Sequence, residues 1–522
     1  MRRPFIALFI ALSILSAGLP AAKAAERPNL LLIMTDNQSP SLLGAYGNTE
    51  VRTPNIDELA RRGMLFERAY AASGVCSPSR AVLMTGRMPS ANGVHNGLPV
   101  NYPLPGYSAI NEFRNLPQTL ADAGYRTGMV GKYHLGDQEE PQLGFDFWVT
   151  FRGGHTSSFT TVDIIDNDDR YNVSETDEHL TDLWTRRAID FVEQQDAKRP
   201  FFLWLSFNGP YILPPTVNEA PVSRFAGDYE RKPPAMPQQP VHAYLREWAK
   251  RVPEIRGIPE KPVGGTYPWA AIDALNNQRA MVNVAAETTH VDDGIGRLLA
   301  ALDRAGLAEN TLIVFLSDQG SAYGQKGLWG NSSWGSPSPA YNANMQVPLI
   351  LVHRGKIPAE TRRTEMINQF DMLPTLLDYL GLADRKIADA PGESFAPVLR
   401  AEATDWDNEV FFEYITTRVI QTDRWKYTKR FLASPNEFYD LQTDPGETTN
   451  LIDDPDYADV VAELDTRLTQ FFTDYTIEEF DLWRGGTGKG LVFYGGRNKI
   501  FSEAFPNWRE PFFETKPAFR DR

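Results

Sequence analysis

The chain has 522 residues, enough for one large domain and a smaller one, and its 42% apolar and 23% charged residues place it in the globular class. A formal net charge of −15 argues against nucleic acid or an anionic membrane as the main partner, so any attraction for an anionic ligand must come from local basic groups. The single cysteine, Cys76, excludes an intrachain disulfide.

Arg2 and Arg3 precede an apolar run from Phe5 to Leu19, and Ala22-Lys23-Ala24 offers small residues for cleavage. Residues 1–24 therefore read as a secretory signal peptide, and the mature protein is expected to be exported, periplasmic or extracellular. The apolar run is short for a membrane span, and no later stretch reaches that length. An exported protein with one unpaired cysteine carries an oxidation liability, which conversion of that cysteine would remove.

Pro28 to Asn37 reads as a buried strand ending in Asp36 and Asn37, at the carboxyl end where open α/β sheets place their ligands. A short helix starts at Thr53, and Met64–Tyr70 is the strand leading to Val75–Arg87. Here Ser77 is expected to cap a helix, with Pro78 in its first turn and Gly86 ending it. Cys76 would then sit just before a helix N-terminus, where free N–H groups and the dipole favour an anion, with Arg80 able to reach back to the same spot. Asn115–Gly124 is a helix closed by Gly124, and Tyr125–Gly136 a strand with Lys132 and His134 at its end.

Residues 179–195 form an amphipathic helix leading into the strand Pro200–Asn208. Residues 210–268, rich in proline, charge and aromatics, read as an irregular insertion that helps frame a substrate cleft. One long helix is expected over 269–305. Thr311–Gly320 is another buried strand with Asp318 and Gln319 near its end, Val347–Val352 a further strand, and Asp371 opens a helix. This alternation points to a large, mostly parallel α/β sheet flanked by helices over 25–400. Beyond residue 400, Val410–Tyr414, Arg418–Thr422, Trp425–Arg430 and Glu437–Leu441 read as short antiparallel strands, and 455–475 as an amphipathic helix. They define a smaller C-terminal subdomain, 401–522, whose aromatic and glycine-rich tail 478–522 shows no periodicity.

Two distant strands thus end in an acid–amide pair, Asp36-Asn37 and Asp318-Gln319. Singly, such residues are turn formers; side by side in one sheet they would offer four oxygen donors to a hard cation, calcium or magnesium.

Cys76-Ser77-Pro78-Ser79-Arg80 followed by Leu83-Met84-Thr85-Gly86-Arg87 resembles the signature of the type I sulfatases, in the alkaline-phosphatase-like superfamily. Gly131-Lys132-Tyr133-His134-Leu135-Gly136, Asn368–Leu376 and Glu437–Glu447 also resemble segments of that family, so the likeness runs from about residue 28 to about 452. It implies a large mixed, mostly parallel sheet with a small antiparallel C-terminal subdomain. It implies that a maturation enzyme oxidises Cys76 to Cα-formylglycine, whose hydrated aldehyde attacks the sulfur of a sulfate ester. Calcium, with magnesium as the alternative, would be held by Asp36, Asn37, Asp318, Gln319 and the modified Cys76. Lys132 would contact sulfate and formylglycine, and His134 would orient and deprotonate the nucleophile.

The chain departs from the family pattern at several positions. Asn37 and Gln319 stand where the family commonly has Asp and Asn, which makes the site less negative. Tyr211 follows Asn208-Gly209-Pro210 where the family has a histidine acting as general acid, and a tyrosine with a pKa near 10 is a reluctant base. Asn331 follows Gly327-Leu328-Trp329-Gly330 where the family has a lysine; Lys326 is the candidate substitute, although a solvated surface charge is its plainer reading. The expectation is an exported, calcium-dependent sulfatase acting on a sulfated saccharide or aryl sulfate. Two alternatives stand beside it: a phosphodiester or phosphonate ester hydrolase, and a silent binder of sulfated glycans.

Overall fold

Leu30 to Met34 are completely buried, as a strand covered on both faces requires. In the computed structural model they belong to β1 (Asn29–Asp36), in the interior of the large sheet. The structure describes residues 27–98, 106–155, 158–196, 198–211, 223–256, 269–385, 387, 389–431 and 435–489. The expected signal peptide and the tail from 490 onward lie outside the described residues.

In chain order the remaining strands are β2 (Met64–Tyr70), β3 (Arg126–Gly131), β4 (Phe147–Phe151), β5 (Asp163–Asp166), β6 (Asp169–Asn172), β7 (Phe201–Pro210), β8 (Thr311–Ser317), β9 (Ala322–Tyr323), β10 (Trp329–Gly330), β11 (Gln346–Val352), β12 (Thr361–Asn368), β13 (Glu409–Tyr414), β14 (Thr417–Thr422), β15 (Trp425–Arg430) and β16 (Glu437–Asp440). The ten-stranded sheet has the order β12-β2-β11-β8-β1-β7-β3-β4-β5-β6. Its centre is parallel: β1 pairs with β7 and β8, and β3 with β7 and β4. β11 runs antiparallel to β2 and β8, and the β5–β6 hairpin closes one edge. The sheet is mixed and mostly parallel, as the alternation of strands and helices predicts.

Because side chains alternate across a strand, β1 feeds two cores. Leu30, Leu32 and Met34 pack with Leu83, Met84 and Trp204, while Leu31 and Ile33 pack with Ile56, Leu183 and Ile295. The parallel arrangement brings the carboxyl ends of β1, β3, β7 and β8 to one rim, and the residues that follow them are Asn37, Lys132, Tyr211 and Asp318. β13–β16 form a separate antiparallel sheet in sequential order. The helix Cys76–Thr85 lies between the two sheets and every one of its residues is buried. Its Ala81, Leu83 and Met84 join the core of the large sheet, while Val82 packs in a cluster with Phe411, Ile420 and Phe471.

Two expectations need correction. The long helix is broken into Trp269–Ala274 and Gln278–Arg304, because Asn277 turns out of the helix and caps the second piece by accepting from the Arg279 N–H. The 210–268 insertion is less irregular than its composition implies: it contains the helices Ala226–Arg231 and Ala243–Arg256, while 212–222 and 257–268 lie outside the described residues. No helix among the described residues is long and apolar enough to cross a membrane.

Candidate active site

The helix that carries Cys76 begins two residues earlier than its sequence predicts. Cys76 is the first residue of the helix Cys76–Thr85, after an extended Val75 that makes no side-chain cap. Ser77 is therefore not the cap; its hydroxyl instead accepts from the backbone N–H of Leu98, tying the helix start to a neighbouring loop. Gly86 ends the helix in the left-handed region, as expected.

Around Cys76 the strand ends converge. The Lys132 ammonium lies 3.2 Å from the Cys76 sulfur and donates to Asp36 Oδ2. Cys76 Sγ stands 3.9 Å from Asp36 Oδ1, and Gln319 Nε2 stands 3.6 Å from the sulfur. Arg80 reaches the same cluster: its Nε and Nη2 donate to Asp318 Oδ2 at 3.0 and 2.8 Å, and Nη1 donates to Ser206 Oγ at 2.8 Å. Asp36, Arg80, Lys132 and Asp318 are completely buried. Two cations and two anions in one dry pocket balance, which is the condition for keeping such charges away from water.

Burial and the neighbouring Asp36 push the Cys76 thiol up to about 12, so unmodified Cys76 is a protonated thiol at neutral pH. The same two causes raise the Asp318 carboxyl to about 6, against the pull of Arg80 and Lys132. Ligand atoms of Asp36, Cys76 and Asp318 all lie within 4.8 Å of one another. Asn37 adds its carbonyl oxygen, which accepts from Gln319 Nε2, Ser321 Oγ and Asn331 Nδ2 at 2.8, 2.9 and 3.1 Å. Gln319 Oε1 is buried with no hydrogen-bond partner. A terminal amide's oxygen and nitrogen are assigned from their surroundings, so turning this amide over places an oxygen toward Asp36 and Cys76. The donor set of two carboxylates and two amides fits a hard divalent cation.

Three residues that follow strands at this rim adopt positive φ without being glycine: Asn37 at 61°, His134 at 54° and Tyr211 at 55°. Such conformations are held only where surrounding contacts enforce them, and they gather at functional sites. His134 is buried, with Nε2 facing the Leu98 carbonyl at 3.2 Å and Nδ1 without a partner. Burial and the nearby Lys132 hold its pKa well below the usual range, so the ring is neutral. Tyr211 donates its backbone N–H to Asp36 O, and its ring lies 5.1 Å from Lys132 Nζ.

Lys326 makes its contacts elsewhere. Its ammonium donates to the carbonyls of Gly446 and Glu447 and lies over the Tyr341 ring, so it links the segment before β10 to the turn after β16. Asn331 does reach the cluster, through Asn37.

Sequence reasoning missed His155. The loop after β4 carries it to Tyr211, with Nδ1 3.0 Å from the phenol oxygen. Gly154 before it is a steric necessity, since a Cβ there would stand 2.0 Å from His134 Nε2. The pair Gly153-Gly154 ahead of a histidine is the one local signal that could have marked it. A second His–Glu group, His179, Glu287 and His290, lies in the helical layer. There the two imidazoles stack at 4.3 Å, His179 Nδ1 accepts from the Thr181 N–H, His290 Nε2 is 3.0 Å from Asp182, and His179 Nε2 lies 3.3 Å from Glu287 Oε1. Ligand atoms of the three residues lie within 4.8 Å of one another, and His179 Nε2 and Glu287 Oε2 are buried without a hydrogen-bond partner.

Residues 28–382 match the sulfatase family model, and 330–474 match the model of the N-sulphoglucosamine sulphohydrolase C-terminal region. Among curated relatives, the N-acetylglucosamine-6-O-sulfatase of Bacteroides thetaiotaomicron is 28% identical, over 87% of this chain and 88% of its own length. The Delta 4,5-hexuronate-2-O-sulfatase of the same organism is 27% identical, over 87% of this chain and 92% of its own. Among solved structures, that of BT4656 in complex with its substrate D-glucosamine-2-N,6-O-disulfate superposes with a TM-score of 0.70 at 26% identity, covering 86% of this chain and 98% of that one. The fold, the motif around Cys76 and these matches agree: the chain belongs to the sulfatase family of sulfuric ester hydrolases.

Proposed function

We propose that the protein is an exported sulfatase that hydrolyses a sulfate monoester of a saccharide, with Cα-formylglycine made from Cys76 as nucleophile and calcium as resident cation. The observation that carries this reading is the meeting of Asp36, Lys132 and Asp318, from strand ends far apart in the chain, with Arg80 of the Cys76 helix around Cys76. The names of the two Bacteroides relatives support a sulfated saccharide as substrate. Arg2, Arg3 and the apolar run after them support export, and a maturation enzyme that oxidises Cys76 is implied by the motif.

When present, formylglycine supplies a hydrated-aldehyde nucleophile, and calcium held by Asp36, Asn37, Asp318 and Gln319 supplies stabilisation of negative charge. The remaining roles belong to this chain's own side chains. Lys132, beside position 76, binds a sulfuryl oxygen while its other contact keeps Asp36 in place. Arg80 fixes Asp318 through two N–H groups of one planar fork, a geometry that lysine could not reproduce. His134, with its N–H committed to the Leu98 carbonyl, keeps Nδ1 as a proton acceptor for the nucleophile. Tyr211, whose ring lies beside Lys132, and Asn331, bonded to Asn37, are the further candidates to contact the substrate.

The test is sulfate release from defined sulfated saccharides and an aryl sulfate, run beside a phosphate diester and a phosphonate ester. The enzyme used must carry formylglycine at position 76, verified by mass spectrometry. Desulfation of saccharides is expected. Preferential turnover of the diester or phosphonate would replace this reading with that of the related hydrolases, and no turnover at all would make the protein a binder.

A further inference from the structure

Residues 477–489 follow the helix Ala458–Asp474 and lie against the segment after the Cys76 helix. Ile477 gives its N–H to Ser90 O at 3.1 Å, and His95 Nε2 faces Phe480 O at 2.7 Å. Lys489 is buried and binds twice. Its backbone N–H donates to Gly93 O at 2.7 Å, while its ammonium donates to Ala109 O at 3.0 Å and pairs with Glu112. The same ammonium lies 4.3 and 4.7 Å from the centres of the Phe113 and Phe480 rings. Gly93 has a φ of 81°, and a Cβ there would stand 2.8 Å from Phe480 and 3.0 Å from Lys489, so only glycine allows this approach. Both anchored points lead to His134. Further along from Gly93, Leu98 gives its N–H to Ser77 Oγ at the start of the Cys76 helix and turns its carbonyl to His134 Nε2 at 3.2 Å. Ala109 gives its N–H to the carbonyl of Leu135, next to His134, at 2.8 Å.

We propose that Lys489 is a positioning residue for desulfation: by fastening Gly93 and Ala109 together, it holds the Leu98 carbonyl against His134 Nε2 and so keeps Nδ1 bare. This rests on the sulfatase reading above, in which Nδ1 takes the proton of the nucleophile. Burial and the Lys132 charge keep the His134 ring neutral, so it has a single N–H to place. A carbonyl can only accept, so with Leu98 O in position that proton belongs on Nε2. If the carbonyl withdraws, part of the protein carries the proton on the nitrogen that must accept one. Nδ1 has no hydrogen-bond partner among the described residues, which leaves the Leu98 carbonyl as the group that selects the tautomer. Lys489 suits the task because its charge is sealed in place. Glu112, Ala109 O and two ring faces replace the water that a buried ammonium loses, so the anchor is rigid.

The experiment reads the His134 tautomer and sulfate release side by side, on the full chain with formylglycine verified. The chain has seven histidines, so nitrogen-15 NMR of histidine-labelled protein can resolve the ring of His134, assigned by the signal lost in His134→Gln. The parent protein is expected to carry the His134 proton on Nε2. Lys489→Met keeps the length of the side chain and removes its charge and its donors. It should shift His134 toward a mixture of tautomers and lower kcat on a sulfated sugar about tenfold, with KM changed by less than about twofold. Gly93→Ala leaves the ammonium pair intact and crowds the segment against Phe480 and Lys489, and it should reproduce both effects even where Lys489→Met does not fold. A His134 proton on Nδ1 in the parent, or a loss of rate in both variants with the tautomer unchanged, would overturn the proposal. A parent protein that shows the expected tautomer yet releases no sulfate would instead overturn the sulfatase reading.

Discussion

Cys76 lies where a small side chain meets two buried acids and two buried cations, so its contribution to packing and its contribution to chemistry can be separated. Cys76→Ala removes the sulfur and fills most of the same space. Sulfate release is expected to fall to background, while the thermal midpoint stays within a few degrees of the parent protein. The paired carboxylates around it allow a second prediction with a readout independent of turnover. A cation that binds the folded protein alone stabilises it by about 2.7 kcal/mol at a hundredfold excess over its dissociation constant. Calcium should therefore raise the thermal midpoint of the parent protein, a chelator should reverse the rise, and Asp36→Ala should abolish it. A midpoint indifferent to calcium would remove the cation from the site.

At the scale of elements, the turn Gln369–Asp371 shows how a local device carries a pH dependence. The Asp371 carboxylate accepts from the backbone N–H of Asn368 and of Glu393, fastening the entry of the helix Met372–Tyr379. Burial nevertheless pushes its pKa up to about 8 from an ordinary 3.8. Between these values the folded protein holds a proton that the unfolded chain has released, so stability falls as pH rises, and the loss is complete above about pH 8. Asp371→Asn should flatten that slope. Denaturant unfolding at pH 6 and pH 9 should show the variant gaining on the parent by more than about 1.4 kcal/mol, one pKa unit's worth, as pH is raised. Elements also show where sequence reading is sound. The four C-terminal strands are read from alternation and turn residues to within a residue or two of their observed ends. The start of the Cys76 helix is misread because the Ser77 hydroxyl, a good cap by type, is taken by a backbone group more than twenty residues downstream.

At the scale of the molecule, the small sheet is part of what holds the reactive helix. Glu413 in β13 donates its backbone N–H to Ala72 O and accepts from the Ser90 N–H, and it pairs with Arg418, which also reaches Asp481. Phe411 stacks on Phe471 at 3.7 Å, in the same cluster as Val82 of the Cys76 helix. A chain ending before β13 would expose that cluster and leave the back of the helix uncovered. It is expected to show no cooperative unfolding, and calorimetry of the full chain should give one transition instead of two. A stable, cooperatively folding fragment would mean that the two sheets are independent. The division of the chain near residue 400 is then a boundary in topology more than in stability.

What the amino-acid sequence determined by itself is local in origin. Continuous apolar runs specify the buried strands, the residues that break them specify the strand ends, and the Cys76 motif names the chemistry. Each depends on neighbours a few positions apart. Which strand ends stand together is another matter. The 36/318 pairing needs β1 and β8 adjacent and parallel, and strand order is set by packing both faces of a sheet at once. The family pattern led to expecting the cluster but could not supply the contacts. Lys326, within reach by counting residues, is drawn to carbonyls near residue 447, and His155, unremarkable in its own segment, meets Tyr211 from across the sheet. Side chains separated by tens or hundreds of positions have no local interaction to record their meeting, so only the tertiary structure decides it.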